Sequence, residues 1–475
     1  MAIVCRRHWF TFAVFIILAS LDNAAAGVLP PLYAIIARDL QADETSLGFV
    51  TSFYLIIVAS ASVLWGFRGD QTQRKPLLFI GTLVWVAAMI LTTTATQFWQ
   101  FLLWQMVTAV GVGAVTSLGF SVVSDVVPAH RRGFALSLWS VSQGLGAAFG
   151  AMMASFLGAS NWHWPFWLIA GVGFLFAVLF LFVKEPERGQ SEPELAPVFA
   201  AGQTYESRIV FADLTKILKQ HTNRWLLAQS FFFSLAYGAT IWIPRWAIAR
   251  VQAEGFDLET ATIIGNLFVA IFSFGGFFSI AAGDIGDRLQ RRWVRGRPFL
   301  AGFSLIASIP FFIALFFIPF HNVTVPENGT LFQIIWAVAI SLFTNGWVIA
   351  AFLVALFATS LQATDPPNWA AMLTDLNLPE HRGTIVGFSR LARATGNAIS
   401  VTLAAWVFQW LIPTVGEPGN FSLGLALFQI LVIPVAICYI GVARSIKNDR
   451  HAIQAILIRR AQQTSSGISE SDTLT

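Results

Sequence analysis

The stretch GFRGDQTQRK, residues 66–75, places two glycines, one acid and three basic side chains inside a chain that is more than half apolar. A second stretch, GDIGDRLQRR, residues 283–292, repeats the framework G-x-x-G-D-x-x-Q-R-[KR]. Their starting positions, 66 and 283, are 217 residues apart. A polar motif that recurs once at so large a separation predicts that the chain contains two copies of one structural unit.

Composition assigns the chain to the membrane. Hydrophobic residues make up 56% of its 475 residues, charged residues only 11%, and the mean hydropathy is +0.68. In soluble domains about a quarter of the residues are charged. Cys5 and Cys438 lie near opposite ends, and the histidines show no metal-ligand spacing. We therefore expect an integral membrane protein without a disulfide, a metal site or another cofactor.

Apolar runs of about 20 residues, the length that crosses a bilayer core of about 30 Å, occur about twelve times. Six lie in each half of the chain, and the tenth is placed only broadly. The predicted spans are 9–36, 46–66, 77–95, 98–123, 134–157, 165–183, 225–249, 260–283, 299–320, a stretch within 332–374, 384–411 and 420–443. The pattern predicts an all-α membrane protein of about twelve transmembrane helices.

Basic residues indicate the orientation of these spans. With the N-terminus inside, most of the 29 lysines and arginines fall on the inner side, as the positive-inside rule requires. This rule predicts that both termini and both copies of the opening motif are cytoplasmic. The pI of 9.3 then reflects topology, so we expect an inner or plasma membrane protein and no nucleic-acid partner.

A second pair of motifs follows spans 4 and 10. DVVPAHRRG begins at Asp125 and DLNLPEHRG at Asp375, and each places Arg-Gly seven and eight residues after the acid. Tandem repeats of this kind are typical of transporters that rock two halves around a central site. We expect an N-terminal six-helix bundle, a flexible cytoplasmic linker with an amphipathic helix, a C-terminal six-helix bundle and a cytoplasmic tail, at residues 1–183, 184–224, 225–444 and 445–475.

The two halves differ in length between their paired acids. Asp70 and Asp125 are 55 residues apart, whereas Asp287 and Asp375 are 88 residues apart. The excess of 33 residues is too short for two further spans, which need about 40 residues. The second half is therefore predicted to contain an external loop and a non-spanning apolar segment near 321–348.

These motifs carry a family resemblance. The sequence G-x-x-x-D-x-x-x-R-[RK] after span 2, its echo after span 8 and the paired Asp-(x)6-Arg-Gly turns resemble the major facilitator superfamily over nearly the whole chain. Within it, LDNAAAGVLP (21–30) and NWAAMLTDLNLPEHRG (368–383) resemble spinster-type lipid and sphingolipid transporters. The Arg and Glu of that family's fourth span fall here at Gln105 and Val112.

The resemblance implies a cytoplasmic gate that latches the two halves. In the first copy, Asp70 would face the start of span 11 at Gly383, and Arg74 would pair with Asp125. The implied gate residues are Gly66, Gly69, Asp70, Arg74, Asp125, Arg132, Gly283, Gly286, Asp287, Arg288, Arg291, Asp375 and Arg382. The alternative is that these residues serve only the positive-inside topology and solvate two turns.

The same latch is implied in the second copy. By symmetry, Asp287 would face the start of span 5 at Gly133, and Arg291 would pair with Asp375. Each such contact is worth about 0.3 to 1 kcal/mol at an exposed surface. Four together would bias the equilibrium between conformations without locking it.

Ionisable residues deep in the spans are candidate substrate ligands, because charge is costly there. Arg390 and Arg393 lie seven and ten residues beyond Gly383, hence about 10 and 15 Å into span 11. A shift of 250 residues maps them onto Ser140 and Gln143 of span 5. The predicted cavity residues are Asp22, Asn23, Gln105, Gln143, Trp242, Arg245, Asn368, Arg390 and Arg393.

Two deep arginines against one acid predict an anionic or zwitterionic organic substrate, lipid-like solutes included. Asp22 is the candidate carrier of a coupling proton, because a buried carboxylate can load and unload as the cavity changes sides. Two alternatives stay open. Asp22 could merely neutralise an arginine, or Arg390 could reach the interface with its long side chain.

The sequence favours a secondary active transporter that works as a monomer in the lipid bilayer. It lacks a G-x-x-x-x-G-K-[ST] phosphate loop, so ATP-driven transport is not expected. The spans hold no paired carboxylates or histidines, so the chain is not expected to be an enzyme. A multidrug-type exporter of amphiphiles and a non-transporting membrane sensor with the same fold remain as alternatives.

Overall fold

Long helices fill the part of the chain that the computed structural model describes, residues 2–42, 44–158, 161–183, 185–326 and 330–466. Eleven helical stretches within these ranges are long and apolar enough to cross a membrane. A bilayer core offers no water to backbone amides, so a crossing segment must satisfy its own hydrogen bonds, as a helix does. The all-α membrane fold that the sequence predicts is confirmed.

The described residues before the linker form eight α-helices. They are α1 Ala2–Gly27, α2 Tyr33–Asp39, α3 Glu44–Gln71, α4 Arg74–Thr92, α5 Phe98–Ala114, α6 Phe120–Val126, α7 Arg132–Leu157 and α8 His163–Leu181. A π-helical turn, Val115–Gly119, joins α5 and α6 into one span.

The linker and the residues after it form the remaining helices. The linker holds α9 Ala196–Ala200 and α10 Phe211–Lys219. The second half holds α11 His221–Tyr237, α12 Ile243–Gln252, α13 Leu258–Phe272, α14 Phe278–Arg292, α15 Gly296–Phe317, α16 Leu331–Thr344, α17 Gly346–Gln362, α18 Asp365–Asp375, α19 Arg382–Val415, α20 Gly419–Phe428 and α21 Val432–Ser466.

The fifth predicted span, 134–157, is α7, which is less apolar than the eleven stretches above. Ser140, Ser142 and Gln143 lower its hydropathy because they bring polar groups into the helix. Its 26 residues still extend about 39 Å at 1.5 Å per residue, enough to cross the bilayer core. It packs against α1 of its own half and against α14 of the other half.

The predicted non-spanning segment near 321–348 is α16. Its 14 residues are too few to cross a bilayer, and the helix packs against α13 and α17. Phe332, Trp336 and Phe343 are exposed on its other side. Such an apolar surface suits a lipid environment rather than water.

The tenth predicted span consists of two helices, α17 and α18. Pro366 and Pro367 stand in the first turn of α18, and proline lacks the amide hydrogen that a continuous helix would need at these positions. The helix is therefore interrupted between Gln362 and Asp365. As a result Asp365 is the first residue of a half-helix.

Two sets of helices join the halves at the end that carries Asp70 and Asp287, here called the motif end. There α3 packs on α19, and α7 packs on α14 and α18. A Cβ atom built at Gly66 would lie 2.3 Å from the carbonyl oxygen of Gly383. At Gly283 it would lie 2.4 Å from the carbonyl oxygen of Gly133. The backbones therefore touch, and the motif end is closed.

The linker packs against the motif end and does not extend into solvent as a loose loop. Leu195 and Val198 are fully buried in a cluster that includes Leu457 and Ala461 of α21. The prediction of a flexible segment is therefore wrong for 185–200. The predicted tail begins within α21, which continues without a break to Ser466, and residues 467–475 lie outside the described ranges.

Candidate gate and substrate site

Asp70 closes one side of the motif end. Its carboxylate accepts hydrogen bonds from the backbone N–H groups of Gly383 (3.2 Å) and Thr384 (2.7 Å) and from the Thr384 hydroxyl (2.8 Å). These N–H groups begin α19 and have no acceptor within their own helix, so an acid here satisfies them and meets the positive end of the helix dipole. The contact that the resemblance implies for Asp70 is present.

Asp287 closes the other side in the same way. It accepts hydrogen bonds from the backbone N–H groups of Gly133 (3.0 Å) and Phe134 (3.1 Å) at the start of α7. Gly133 is required, because a Cβ atom there would lie 2.6 Å from the Gly283 carbonyl oxygen and 2.7 Å from Asp287 Oδ1. The implied contact of Asp287 with the start of span 5 is also present.

Asp125 links the two halves through arginines. Arg74 Nη1 of its own half donates to Asp125 Oδ2 at 2.5 Å, and Arg382 Nη1 of the other half donates to Oδ1 at 2.8 Å. All three side chains are buried. The pairing of Arg74 with Asp125 agrees with the resemblance, and Arg382 adds a contact between the halves.

Asp375 makes the matching contacts in the second half, but with a different arginine from the one predicted. Arg297 Nη1 donates to Asp375 Oδ2 at 2.6 Å, and Arg132 Nη1 of the first half donates to Oδ1 at 2.8 Å. Arg297 also pairs with Asp287 at 2.5 Å. The position that the motif leads one to expect, Arg291, is exposed and instead donates to the carbonyl oxygen of His130.

The longer turn of the second copy explains this correction. Arg74 stands at the start of α4, four residues after Asp70, whereas α14 runs on to Arg292 and the next helix begins only at Gly296. The arginine at the start of the following helix is therefore Arg297. Two other implied gate residues do not join the halves: Arg288 pairs with Asp284 of its own helix at 2.5 Å, and Gly286 leaves room for Asn368.

Glu192 of the linker joins the two inter-half contacts. Its Oε1 atom accepts hydrogen bonds from Nη2 of Arg132 and from Nη2 of Arg382. These two arginines occupy equivalent positions of the two repeats, 250 residues apart. One carboxylate from outside both repeats therefore holds one arginine of each half.

Three neighbours of Glu192 strengthen this attachment of the linker. Glu185 accepts from Arg74 Nε at 3.1 Å, and the Gly189 N–H donates to Asp125 Oδ1 at 3.2 Å. Arg188 donates to the carbonyl oxygens of Gly69 and Asp70 at the end of α3. Sequence reasoning missed all four linker residues, because Pro, Glu and Gly in a connecting segment ordinarily indicate a solvated loop.

Electrostatics favour the charged bridge at Glu192. Burial by itself would raise the pKa of its carboxyl, but the charges and hydrogen bonds of Arg132 and Arg382 outweigh burial and lower the pKa from 4.5 to about 2. Glu192 is therefore ionised at neutral pH and pairs as an anion. At Arg188, burial and the neighbouring charge of Arg74 lower the pKa of the guanidinium.

Arg390 reaches across the interface within the membrane. Its Nη2 atom donates to Gln143 Oε1 of α7 at 3.4 Å. Gln143 stands 250 residues before Arg393 and is its counterpart in the first repeat. Arg390 of the second repeat therefore contacts the counterpart of Arg393. Arg390 and Gln143, both predicted cavity residues, therefore lie together between the halves.

Arg393 lies close to two aromatic rings. Its guanidinium carbon is 4.2 Å from the centre of the Trp369 ring and 5.1 Å from the centre of the Phe233 ring. Cation–π contacts of this kind stabilise a guanidinium away from water. Its Nε and Nη2 atoms are buried and have no hydrogen-bond partner among the described residues.

Asp365 is the acid beside Arg393, and sequence reasoning did not identify it. Asp365 Oδ2 lies 3.9 Å from Arg393 Nη2, and Asp365 Oδ1 accepts hydrogen bonds from Gln229 Nε2 (2.9 Å) and from the Tyr439 hydroxyl. The only signal in the sequence was the polar run TDPPN (364–368) inside an otherwise apolar stretch. Because the tenth span was placed only within 332–374, the depth of Asp365 in the membrane could not be estimated.

Asp22 stands apart from both arginines. It is buried, and its Oδ1 atom has no hydrogen-bond partner within the described residues. It lies close enough to Tyr54 to interact with it electrostatically. The alternative that Asp22 neutralises an arginine is not supported, since Asp365 fills that place. The neighbouring Asn23 donates to the Ala19 carbonyl oxygen of its own helix.

Two predicted cavity residues pack inside one half. Gln105 is buried and donates to Thr92 Oγ1 at 3.2 Å, which ties α5 to the end of α4. Asn368 is fully buried and donates to the carbonyl oxygens of Ala282 (3.3 Å) and Thr364 (2.8 Å). Both amides therefore bind groups of their own half, and none of their contacts among the described residues is with Arg390 or Arg393.

Trp242 ends the short turn between α11 and α12, and Arg245 lies in the first turn of α12. Trp242 packs edge-on against Phe408. Arg245 is half-exposed, pairs with Glu417 at 3.3 Å and stacks over Phe421. Arg245 therefore belongs to a surface contact and not to the arginine pair, which corrects its place in the predicted cavity.

No group of three or more His, Cys, Asp or Glu side chains in the described parts of the chain is arranged to hold a metal ion. Within the membrane, Arg390 contacts Gln143 of the other half, and Arg393 lies beside Asp365 of its own half. A family model described as Major Facilitator Superfamily matches residues 12–325. The chain belongs to the major facilitator superfamily.

The relatives of this superfamily member include spinster-type proteins. The sphingosine-1-phosphate transporter SPNS2 of Danio rerio is 23% identical over 294 residues, which cover 59% of this chain and 57% of that protein. The hexuronate transporter of Bacillus subtilis is 24% identical over 422 residues, which cover 87% of this chain and 90% of that protein.

The fold also matches solved superfamily structures. The crystal structure of the human organic anion transporter MFSD10 (TETRAN) superimposes with a TM-score of 0.60 at 16% identity, covering 90% of this chain and 99% of that one. The chain thus spans little more than half of the zebrafish relative but nearly the whole of the Bacillus protein and of the human structure.

Proposed function

We propose that this superfamily member is a secondary active transporter that moves an organic anion across the membrane by alternating access. The arginine pair Arg390 and Arg393 carries the proposal. The two side chains stand about 10 and 15 Å into α19 from its first turn at 1.5 Å per residue. The half-thickness of a bilayer core is about 15 Å, so Arg393 lies near the midplane.

The balance of charge around this pair supports an anionic substrate. Among the described residues, Asp365 is the one acid in ion-pair range of Arg393, while Arg390 has an amide partner, Gln143. Two cations and one anion leave one positive charge. A buried charge without a partner is costly, so a bound anion would relieve that cost. Sphingosine-1-phosphate and hexuronates, named in two of the relatives, are both organic anions.

The contacts at the motif end supply the proposed gate. Asp70, Asp125, Asp287 and Asp375 each meet a group of the other half, either a helix start or an arginine. Opening this end must break all of them together, and closing must remake them. We place this end in the cytoplasm, with both termini, because the positive-inside rule favours it. Residues 1–183 and 225–444 are the two bodies that would move, as a monomer.

Thermal stabilisation of the purified full-length protein tests the substrate class. The ligands are glucuronate, glucose 6-phosphate, taurocholate and lysophosphatidylcholine, with tetraphenylphosphonium and glucose as cationic and neutral references. An anion present at 100 times its Kd should stabilise the wild type by about 2.7 kcal/mol. Arg393→Gln should lose this gain, because the substituted side chain carries no charge.

Arg245→Gln is the matched control, since it also removes an arginine but one that pairs with Glu417 at the surface. It should keep the response to anions. If tetraphenylphosphonium or glucose stabilised the wild type and Arg393→Gln equally, the anion proposal would be wrong. The better interpretation would then be an exporter of amphiphiles with an apolar cavity.

A further inference from the structure

We propose that an anionic group of the substrate displaces Asp365 from Arg393, and that the freed Asp365 carboxylate then takes up a proton. One proton would bind with each substrate anion, which makes Asp365 the coupling carboxylate. The inference rests on the proposed function, because it requires that Arg393 binds an anion.

The pair of Asp365 and Arg393 is close but not satisfied. The nearest nitrogen and oxygen atoms are 3.9 Å apart. A charge-assisted hydrogen bond of this kind is about 2.7 to 2.9 Å long. Arg393 Nε and Nη2 and Asp365 Oδ2 are buried without hydrogen-bond partners among the described residues. Donors on one side and an acceptor on the other thus keep unused hydrogen-bonding capacity that a further group could satisfy.

The aromatic rings fix where that group can approach. The Trp369 and Phe233 rings both lie close to the guanidinium carbon of Arg393 and so take up part of the space around it. Its N–H groups point outward in the plane of the guanidinium, which suits a two-oxygen acceptor such as a carboxylate, sulfonate or phosphate. A substrate anion would therefore compete with Asp365 for the same edge.

Asp365 is held in place when Arg393 binds another anion. Its Oδ1 atom accepts hydrogen bonds from Gln229 of α11 and Tyr439 of α21. The titratable or charged groups near it from the packed helices are Arg393, Tyr439 and Tyr237. Once the substrate neutralises Arg393, no cation remains to offset the carboxylate, and a buried unpaired charge is costly enough for the group to neutralise instead.

The proton balance is simple. A hydronium ion from the water on the open side gives its proton to Asp365 Oδ2, an O–H bond forms there, and water is released. No electron is transferred in this step. Asp365 stands ten residues from Asp375 at the motif end, about 15 Å at 1.5 Å per residue, the same depth as Arg393. Substrate and proton would therefore load at one level of the membrane.

Proton uptake on ligand binding tests this inference directly. Glucuronate and taurocholate are the probes, because both are fully ionised near neutral pH and bring no proton of their own. Binding is measured by calorimetry and proton uptake by a pH indicator in weakly buffered detergent solution. Wild type should take up about one proton per bound anion. Asp365→Asn should bind the anion with no proton uptake.

Asp284→Asn is the control, since it removes an acid that pairs at the surface with Arg288, and it should behave as wild type. Asp22→Asn separates the two buried acids. Loss of uptake in Asp22→Asn with uptake retained in Asp365→Asn would assign the proton to Asp22 and overturn the inference.

Binding without any proton uptake by the wild type would also overturn the inference, but it would leave the proposed function standing. If neither anion bound the wild type, the proposed function would fail, and the inference with it. An Asp365→Asn protein that did not fold would be replaced by Asp365→Glu, which keeps the carboxyl and should restore the coupled proton.

Discussion

At the scale of single residues, the most informative side chain is Glu192. It is buried to 8% exposure and holds an arginine of each half through one oxygen. A carboxylate with two cationic partners is stabilised in its charged form, and the low pKa records this. The closed motif end therefore depends on an acid that belongs to neither repeat.

The bridge at Glu192 should give a pH-dependent contribution to stability. The pKa falls from 4.5 to about 2 on folding, so the contribution is fully present above pH 4.5 and is lost as the pH falls through about 2. A shift of this size corresponds to about 3 kcal/mol. The difference in thermal stability between wild type and Glu192→Gln should be constant near neutral pH and should shrink towards zero below pH 4.5.

Glu194→Gln is the control for this experiment. Glu194 accepts a hydrogen bond from Gln454 and no ion pair of it occurs among the described residues, so its difference from wild type should not follow the same curve. A Glu192→Gln difference that stayed unchanged down to the lowest pH would contradict the charged bridge.

At the scale of helices, the glycines at the crossing of α3 and α19 decide whether the motif end can close. A Cβ atom at Gly66 would lie 2.3 Å from the Gly383 carbonyl oxygen, and neither backbone can move without separating the helices. Gly66→Ala should therefore favour the form that is open at this end.

Cysteine labelling measures this opening. Ser389 of α19 is fully buried behind the crossing, and Ser389→Cys in a background of Cys5→Ala and Cys438→Ala reports access to it. Gly66→Ala should raise the rate of maleimide labelling about tenfold, equivalent to about 1.4 kcal/mol. Gly144→Ala is the control, because no atom lies within 4 Å of the added Cβ. Equal rates in the two variants would refute the steric argument.

The helices also explain how far the sequence could be interpreted. Hydropathy located α16, because 33 surplus residues are too few for two spans. The motif located Asp70 and Asp287, because an acid at a helix start has a fixed geometry. The motif indicated Arg291 as the partner of Asp375, whereas the partner is Arg297. The difference arises because the length of α14 depends on packing that no local sequence pattern shows.

The proposed substrate site was predictable only in part. The depth of Arg390 and Arg393 follows from their distance to Gly383, and both side chains are partly buried. Asp365 was missed, because two prolines break its span at a point that hydropathy alone cannot place. The intra-half hydrogen bonds of Asn368 and Gln105 were not predictable, because a polar residue in a span can face either a cavity or a neighbouring helix, and the sequence does not distinguish the two.

At the scale of the whole molecule, the two repeats form one network with approximate two-fold symmetry. Arg132 contacts Asp375 at 2.8 Å and Arg382 contacts Asp125 at 2.8 Å, and both arginines hold Glu192. The membrane interior departs from this symmetry. The shift that maps Arg393 onto Gln143 also maps Asp365 onto Val115, so only the second half carries the ion pair.

This symmetry predicts how two substitutions combine. Arg132→Gln and Arg382→Gln should each raise the rate of maleimide labelling of the Ser389→Cys protein by similar factors, since each breaks one contact to an acid and one to Glu192. The double variant should exceed the product of the two factors, because it leaves Glu192 buried without a partner, and coupling between neighbours of this kind is about 0.5 to 3 kcal/mol.

Adding Glu192→Gln to the double variant should remove the excess, because no buried charge is then left over. Arg131→Gln, at the exposed neighbour of Arg132, should leave labelling unchanged. Strict multiplication of the two single effects would mean that Glu192 does not couple the arginines.

The place of Glu192 in the chain bears on how such a molecule could arise. The contacts that the four aspartates make between the halves use helix starts and arginines at equivalent positions of both repeats, so two separate copies of a single six-helix ancestor could form them by pairing. The bridge to Arg132 and Arg382 could not form in that pair, because its carboxylate lies in the segment created when the copies were joined. Gene fusion would thus have added a central fastening that duplication alone could not provide.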